Sequence, residues 1–205
     1  LPISLVARFM GEQTPANVLD AASSIRYRAM MLIYVELPIE QFTEYDAHYL
    51  PDANVRITRL SETKNYAVRS VPAGRTVLCA ELPTSVNAPE WTMSDEALGQ
   101  LVCKDLETVG LPVPAAPTAV TVRRLAQAYP IYDQGYEKPF ATLDTWADSL
   151  PRFLTYGRQG LFAHDNTHHA LAMAYAAERC LEPSGFNHDQ WASYREAFAR
   201  HVVED

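Results

Sequence analysis

The sequence predicts an α+β fold in which a mostly antiparallel sheet is flanked by helices. Short runs of β-forming residues follow one another with only brief turns between them, which favours antiparallel neighbours. Residues 94–110 show helical spacing of apolar side chains between a capping serine and a glycine. The chain has 205 residues, of which 48% are apolar and 20% charged, so it is large enough to bury a core. A single domain is the default expectation.

The strands are predicted from their apolar patterns. Residues 30–37 are almost continuously apolar and end before Pro38, which predicts a strand covered on both faces. Alternation or a high content of β-forming residues predicts further strands at 55–58, 66–69, 76–82, 119–122 and 152–156, with a turn at 71–74.

The helices are predicted from capping residues and spacing. Ser94 caps the helix of residues 94–110, and Gly110 ends it. A short helix is predicted at 143–150, with Thr142 as its cap and Pro151 after its end. A last helix carries Trp191, Tyr194 and Phe198 at helical spacing.

Composition excludes several classes of function. The formal net charge of −8 and the pI near 5.2 oppose binding to a phosphate backbone, so we expect no nucleic-acid partner. The longest apolar run is far shorter than the ~20 residues of a membrane span. The three cysteines are widely spaced, which favours a reducing, cytoplasmic compartment over a disulfide framework.

The most informative segment is residues 156–178. It runs from a glycine turn, through a short polar segment around Asp165 and Asn166 that we call the elbow, into a helix rich in alanine. Asn166 or Thr167 can cap this helix. The N–H groups of its first turn and the positive end of its dipole would face an anionic or electron-rich ligand. The small side chains would let the helix lie against a neighbouring backbone or a flat cofactor.

This segment resembles the C-terminal flavin-contacting segment of the FAD-dependent amine oxidase, protoporphyrinogen oxidase and UDP-galactopyranose mutase group. Four further stretches, at residues 26–37, 61–65, 76–81 and 128–136, occur in the order seen in bacterial members of that group. The resemblance covers roughly residues 1–181 and implies that the cofactor is FAD.

The glycine-rich dinucleotide fingerprint that opens members of that group has no counterpart here. The resemblance therefore implies the C-terminal portion of a flavoprotein, whose partner is an FAD-binding Rossmann half on the same polypeptide or on a separate chain. It also implies a substrate-binding domain at 1–155, an FAD-contacting turn and helix at 156–182, and a helical tail at 183–205.

The resemblance implies a set of cofactor-binding residues around the elbow. These are Gly157, Arg158, Asn166, Thr167, His168 and His169. Arg158 either contacts FAD or is a surface arginine paired with Asp165 or Glu178. Asp165 and Asn166 are expected chiefly to hold the elbow by bonding their own backbone.

Tyr129 and Tyr132 are candidates for the substrate side of the flavin, with a packed tyrosine loop as the alternative. No catalytic acid or base is identified. His164, His168 and His169 have a spacing that invites a metal site, but His164 precedes the helix and no nearby carboxylate or cysteine completes the set, so no metal is expected.

The function implied is oxidation of a C–N or C–C bond of a small molecule, with hydride transfer to the flavin, and with activity requiring the nucleotide-binding half. One alternative is a UDP-sugar mutase-like flavoenzyme, for which Arg123, Arg124 and Tyr129 would bind a diphosphate. The other is a non-catalytic fragment that binds a partner without cofactor. An exposed apolar face would also favour a homo-oligomer.

Overall fold

The computed structural model describes residues 1–66 and 72–203. The chain divides into two compact units. The first unit combines Leu1–Tyr27 with Tyr129–Asp205, and the second is Arg28–Ala128. The middle of the chain thus folds as one unit between two segments that fold together as the other.

A five-stranded sheet dominates the middle of the chain, in the order β2-β3-β4-β1-β5. Its strands are β1 (Arg26–Leu37), β2 (Ala47–Tyr49), β3 (Arg59–Glu62), β4 (Thr76–Thr84) and β5 (Ala119–Ile131). The β1–β4, β2–β3 and β3–β4 pairs are antiparallel. These antiparallel pairings, together with the helices of the chain, confirm the predicted α+β fold.

Helix α3 (Asp95–Thr108) supplies the helical side of the core in the middle unit. The Ser94 hydroxyl accepts a hydrogen bond from the Ala97 N–H at 3.2 Å, which is the predicted cap. Leu98, Val102 and Leu106 are fully buried in the same cluster as the inward side chains of β1 and β4. Gly110 follows with a φ of +79°, a conformation that suits glycine at a helix end.

The other unit is mainly helical and contains two apolar clusters. Its elements are α1 (Ile3–Phe9), α2 (Ala16–Ser24), α4 (Glu137–Asp148), α5 (Gly157–Gly160), α6 (Thr167–Arg179), the small hairpin β6 (Leu181–Glu182) and β7 (Gly185–Phe186), and α7 (His188–Phe198). One cluster joins α1, α2 and α4 around Ile3, Val18 and Leu143. The second joins α6 and α7 around Met173 and Trp191, so the predicted last helix is confirmed.

The strand predicted at 55–58 is wrong, because β3 begins only at Arg59. The backbone N–H groups of Arg56 and Ile57 donate to a carboxylate oxygen of Asp105 at 2.7 and 3.2 Å. The strand predicted at 66–69 begins in a 3₁₀ helix, Thr63–Tyr66, and its other residues lie outside the described residues, as does Val71 of the predicted turn.

Two predictions near the elbow also need correction. The helix predicted at 143–150 begins earlier, at Glu137, and the Thr142 hydroxyl donates to the Lys138 carbonyl inside it rather than capping it. Pro139 did not prevent this start, because the first turn of a helix needs no N–H there. Residues 152–156 do not form the predicted strand, and Arg152 has a φ of +59°.

None of the helices in the described part of the chain has the length and apolar character needed to cross a membrane.

Candidate functional site

The predicted glycine turn lies at the start of α5. Gly157 is buried with a φ of +73°, a left-handed conformation in which a side chain would be strained. Its N–H donates to the Met173 sulfur at 3.1 Å. The turn is thereby fixed against α6, the helix whose first turn carries the predicted cofactor residues Thr167, His168 and His169.

Arg158 closes the loop between the turn and α6. Its Nε and Nη2 atoms both donate to the Asp165 carbonyl oxygen, at 3.0 and 2.6 Å. Its guanidinium carbon also lies 4.7 Å from the centroid of the Tyr129 ring, in cation–π geometry. The arginine therefore connects Tyr129, a predicted substrate-side residue, with Asp165, and it holds the elbow through the Asp165 backbone rather than through its carboxylate.

His164 brings the two predicted substrate-side tyrosines together. Its ring stacks on Tyr129 at 5.8 Å between centroids and meets the edge of Tyr132 at 5.0 Å. Its backbone N–H donates to the Tyr132 hydroxyl at 3.1 Å, and its Nε2 lies 2.9 Å from the Pro130 carbonyl oxygen. Because a carbonyl only accepts, Nε2 carries the proton. The sequence suggested His164 only as a metal ligand, so its bracing role was missed.

Phe162 is a buried apolar residue in the loop between α5 and α6. Its side chain is 2% exposed and its φ is +49°, which is rare for a bulky residue. Tyr27 meets it edge-on at 5.1 Å between ring centroids, and Tyr132, Tyr136 and Phe140 lie within 6.0 Å. No local sequence signal marks this strained position.

Asn166, one of the two residues predicted to cap this helix, is the N-cap of α6. Its side chain accepts from the His169 backbone N–H, while His169 Nδ1 accepts from the Asn166 N–H at 3.2 Å, which makes a reciprocal capping box. Thr167 and His168 are exposed at the first turn. Since a helix leaves its first N–H groups without internal acceptors, those of Thr167 and His168 are suited to bind a ligand.

The hydroxyls of Tyr132 and Tyr136 are weak acids. Desolvation raises the pKa of both Tyr132 and Tyr136 above the ordinary value of 10.0. Both therefore stay protonated at neutral pH and act as hydrogen-bonding groups rather than as bases.

A third set of side chains at the elbow consists of one carboxylate and two imidazoles. Asp165 is buried just before α6, and His169 and His201 both approach its carboxylate. His201 follows α7 and is distant in sequence from the elbow. Sequence spacing could not have indicated it.

Arg124, which the mutase alternative would use, is engaged within the middle unit. Its Nε donates to the Trp91 carbonyl at 2.9 Å and its Nη2 to the Met93 carbonyl at 2.6 Å, while Nη1 lies 3.4 Å from Asp95. These contacts give it a structural role at the start of α3.

Three solved structures resemble the chain over most of its length. A reduced UDP-galactopyranose mutase matches 78% of this chain with a TM-score of 0.62 and 16% sequence identity. A protein named as a candidate protoporphyrinogen oxidase of Exiguobacterium sp. 255-15 matches 71% with a TM-score of 0.54 and 21% identity. Putrescine oxidase bound to putrescine matches 98% with a TM-score of 0.53 and 11% identity.

The chain spans 34%, 32% and 42% of the lengths of these three proteins, respectively. No family model and no curated protein matches the sequence. At these identities the likeness is one of fold. The chain therefore shares an α+β fold with part of each of these three proteins.

Proposed function

We propose that this chain is the substrate-side and flavin-contacting portion of an FAD-dependent oxidoreductase that oxidises a C–N or C–C bond of a small molecule. The observation that carries the proposal is the exposed first turn of α6 behind the Gly157 turn. The ordered sequence motifs and the similar solved structures support it independently, since they indicate the same group of proteins.

The donor set at the start of α6 fits the electron-rich edge of a flavin. The N–H groups of Thr167 and His168 and the positive end of the helix stabilise negative charge placed before them. A bound FAD would supply the electron-accepting chemistry at this site. Arg158 keeps the elbow in position through the Asp165 carbonyl, so its main contribution is to orient the helix start.

Tyr129 and Tyr132 form the substrate side in this proposal. Their rings offer apolar surface, and His164 fixes their mutual arrangement. The Tyr132 hydroxyl accepts from the His164 backbone and retains its proton at neutral pH, so it can also donate to a substrate.

The dinucleotide part of FAD requires a partner, an FAD-binding Rossmann half, on the same polypeptide or a separate chain. The exposed side of α6 supports such a partner. Leu171 and Tyr175, four residues apart on the helix, are 56% and 65% exposed, and Leu181 beyond it is 67% exposed. A homo-oligomer is the alternative use of this surface, and light scattering would show it.

A proline at residue 167 tests the backbone contact directly. Thr167 is the first helical residue, where proline is tolerated, and Asn166 already has the extended conformation that a following proline requires, with φ −80° and ψ 167°. Thr167→Pro therefore removes one N–H while preserving the helix. Thr167→Ala is the matched control, because it removes only the hydroxyl.

FAD binding would be measured by flavin fluorescence and visible absorption, with the chain alone and with a dinucleotide-binding half. We expect flavin retention with both halves, affinity about 5–10-fold lower for Thr167→Pro, and little change for Thr167→Ala. Absence of flavin in every combination would overturn the proposal and favour a partner-binding fragment. Equal affinities of the two variants would exclude the 167 N–H as a contact.

A further inference from the structure

We propose that Asp165, His169 and His201 form a binding site for a divalent transition-metal ion of the Zn²⁺ type. All three lie in the same unit, and one ligand atom from each lies within 4.8 Å of the others. Asp165 precedes α6, His169 lies in its first turn, and His201 follows α7. The site goes beyond the flavin proposal and does not depend on it.

The distances between these groups fit a shared ion better than direct hydrogen bonds. Asp165 Oδ1 lies 3.5 Å from His169 Nδ1 and 3.7 Å from His201 Nδ1. Direct hydrogen bonds between such atoms are about 2.7–3.2 Å long. In a tetrahedral zinc site with bonds of about 2.0–2.1 Å, neighbouring ligand atoms are roughly 3.3–3.4 Å apart. A small contraction would bring each of these two nitrogens to that spacing from Asp165 Oδ1, while the two nitrogens themselves are constrained only to lie within 4.8 Å of each other.

Burial gives a second, independent indication. The Asp165 side chain is 5% exposed, and within residues 1–66 and 72–203 its Oδ2 has no hydrogen-bond partner. In the same described part of the chain, the buried Nδ1 of His201 has none either. Buried carboxylate and imidazole atoms without partners are costly. A cation bound by the Asp165 carboxylate and by His201 Nδ1 would give both groups the partner that they lack.

Three features oppose binding of the ion. His169 Nδ1 accepts the Asn166 N–H at 3.2 Å, so this nitrogen has the lone pair that a metal needs but must exchange its hydrogen bond for the metal bond. The positive end of α6 also disfavours a cation, although the Asp165 carboxylate offsets it. The His169 and His201 rings are nearly parallel, with centroids 4.4 Å apart, and would have to diverge slightly.

The donor chemistry selects the type of ion. Two imidazoles and a carboxylate suit Zn²⁺, whereas Mg²⁺ and Ca²⁺ prefer ligand sets made of oxygen alone. Three protein ligands leave the fourth position for water. Such an ion would join the segment after α7 to the elbow before α6. From sequence, no metal was expected because no carboxylate or cysteine was expected to complete a set with the histidines at 164, 168 and 169. His201 is too distant in sequence to be grouped with Asp165 and His169.

Metal binding by the untagged chain, stripped of metal with a chelator, tests the site without any flavin. Zn²⁺ would be titrated in competition with a chromophoric chelator, and Co²⁺ would report the geometry through its visible spectrum. We expect a single high-affinity equivalent and the intense bands of tetrahedral Co²⁺. Absence of stoichiometric binding, or an octahedral Co²⁺ spectrum, would overturn the proposal.

Three glutamine variants locate the ion. His169→Gln removes the ligand but keeps a residue suited to the capping box, and His201→Gln removes the ligand beyond α7. His168→Gln is the matched control, because it changes the neighbouring exposed histidine. Loss of even an outer-shell partner costs about 10–100-fold in metal affinity, so each ligand variant should lose at least that much. Equal losses in all three variants, or no loss in His201→Gln, would contradict the assignment.

Discussion

The guanidinium carbon of Arg158 lies 4.7 Å from the centroid of the Tyr129 ring, while two nitrogens of the same group donate to the Asp165 carbonyl. One side chain thus links the end of β5 to the elbow before α6. Arginine suits this position because its planar group can stack on a ring and form two bonds at its edge. The cofactor and substrate sides of the proposed site are connected through this residue.

Arg158→Ala should lower the free energy of unfolding of the Leu1–Tyr27 and Tyr129–Asp205 unit by about 1–3 kcal/mol, since it removes the cation–π contact and leaves the Asp165 carbonyl without its donors. The free energy of unfolding of Arg158→Lys should lie between those of Arg158→Ala and the starting protein, because lysine keeps the charge but not the paired bonds. Urea unfolding followed by fluorescence measures this in a Trp91→Phe background. The two remaining tryptophans, Trp146 and Trp191, both lie in that unit.

Equal stability of the lysine variant and the starting protein would show that the paired bonds to Asp165 contribute little. The Trp91→Phe chain itself serves as the reference for every stability comparison, because Trp91 belongs to the other unit.

The features that sequence predicted correctly have local causes. Ser94, the apolar spacing after it and Gly110 specify α3 within one segment, and Asn166 likewise specifies the start of α6. The glycine at 157 was predicted as a turn and has a positive φ. Such signals depend on neighbours in the chain, so they can be recognised without a structure.

The features that sequence did not predict depend on distant residues. Residues 56 and 57 fail to form a strand because Asp105 accepts their N–H groups. Helices α1 and α2 begin after Pro2 and Pro15, which offer no capping side chain. Phe162 and His201 acquire their roles only through packing. The roles of the predicted cofactor residues toward FAD stay predictions.

Phe162 is expected to show an unusual order of variants. Phe162→Ala should destabilise its unit by about 3–5 kcal/mol, because a buried aromatic contact with Tyr27, Tyr132, Tyr136 and Phe140 is lost. Phe162→Gly should be more stable than Phe162→Ala by about 1 kcal/mol, since only glycine adopts a φ of +49° without strain. The same fluorescence-monitored unfolding measures both. Alanine more stable than glycine would show that the backbone relaxes in the variants.

Asn166→Asp should weaken FAD binding without lowering the stability of the chain. Aspartate caps a helix as well as asparagine, and its charge interacts favourably with the helix start, so we expect unchanged or slightly higher stability, by about 0.3–1 kcal/mol. The same charge would repel an electron-rich flavin edge and weaken FAD binding. Asn166→Ala is the control, with an expected loss of about 1 kcal/mol of stability from the missing cap. Tighter FAD binding by the aspartate variant would contradict the proposed position of the flavin.

Tyr27 should make the stability of its unit sensitive to alkaline pH. Desolvation raises the pKa of its hydroxyl above the ordinary 10.0, so the folded state holds this proton more tightly than the unfolded chain does. The stabilisation is complete below the unfolded pKa of about 10 and is lost as pH rises from there through the folded pKa.

Urea unfolding of the Trp91→Phe chain and of its Tyr27→Phe derivative, over a pH range that extends above about 10, isolates the effect of Tyr27 on stability. The tyrosine protein should lose stability over that range more steeply than the phenylalanine variant, because groups common to both cancel in the difference. Parallel curves would mean that Tyr27 is as solvated in the folded state as in the unfolded chain, and that the ring contact with Phe162 leaves its hydroxyl in water.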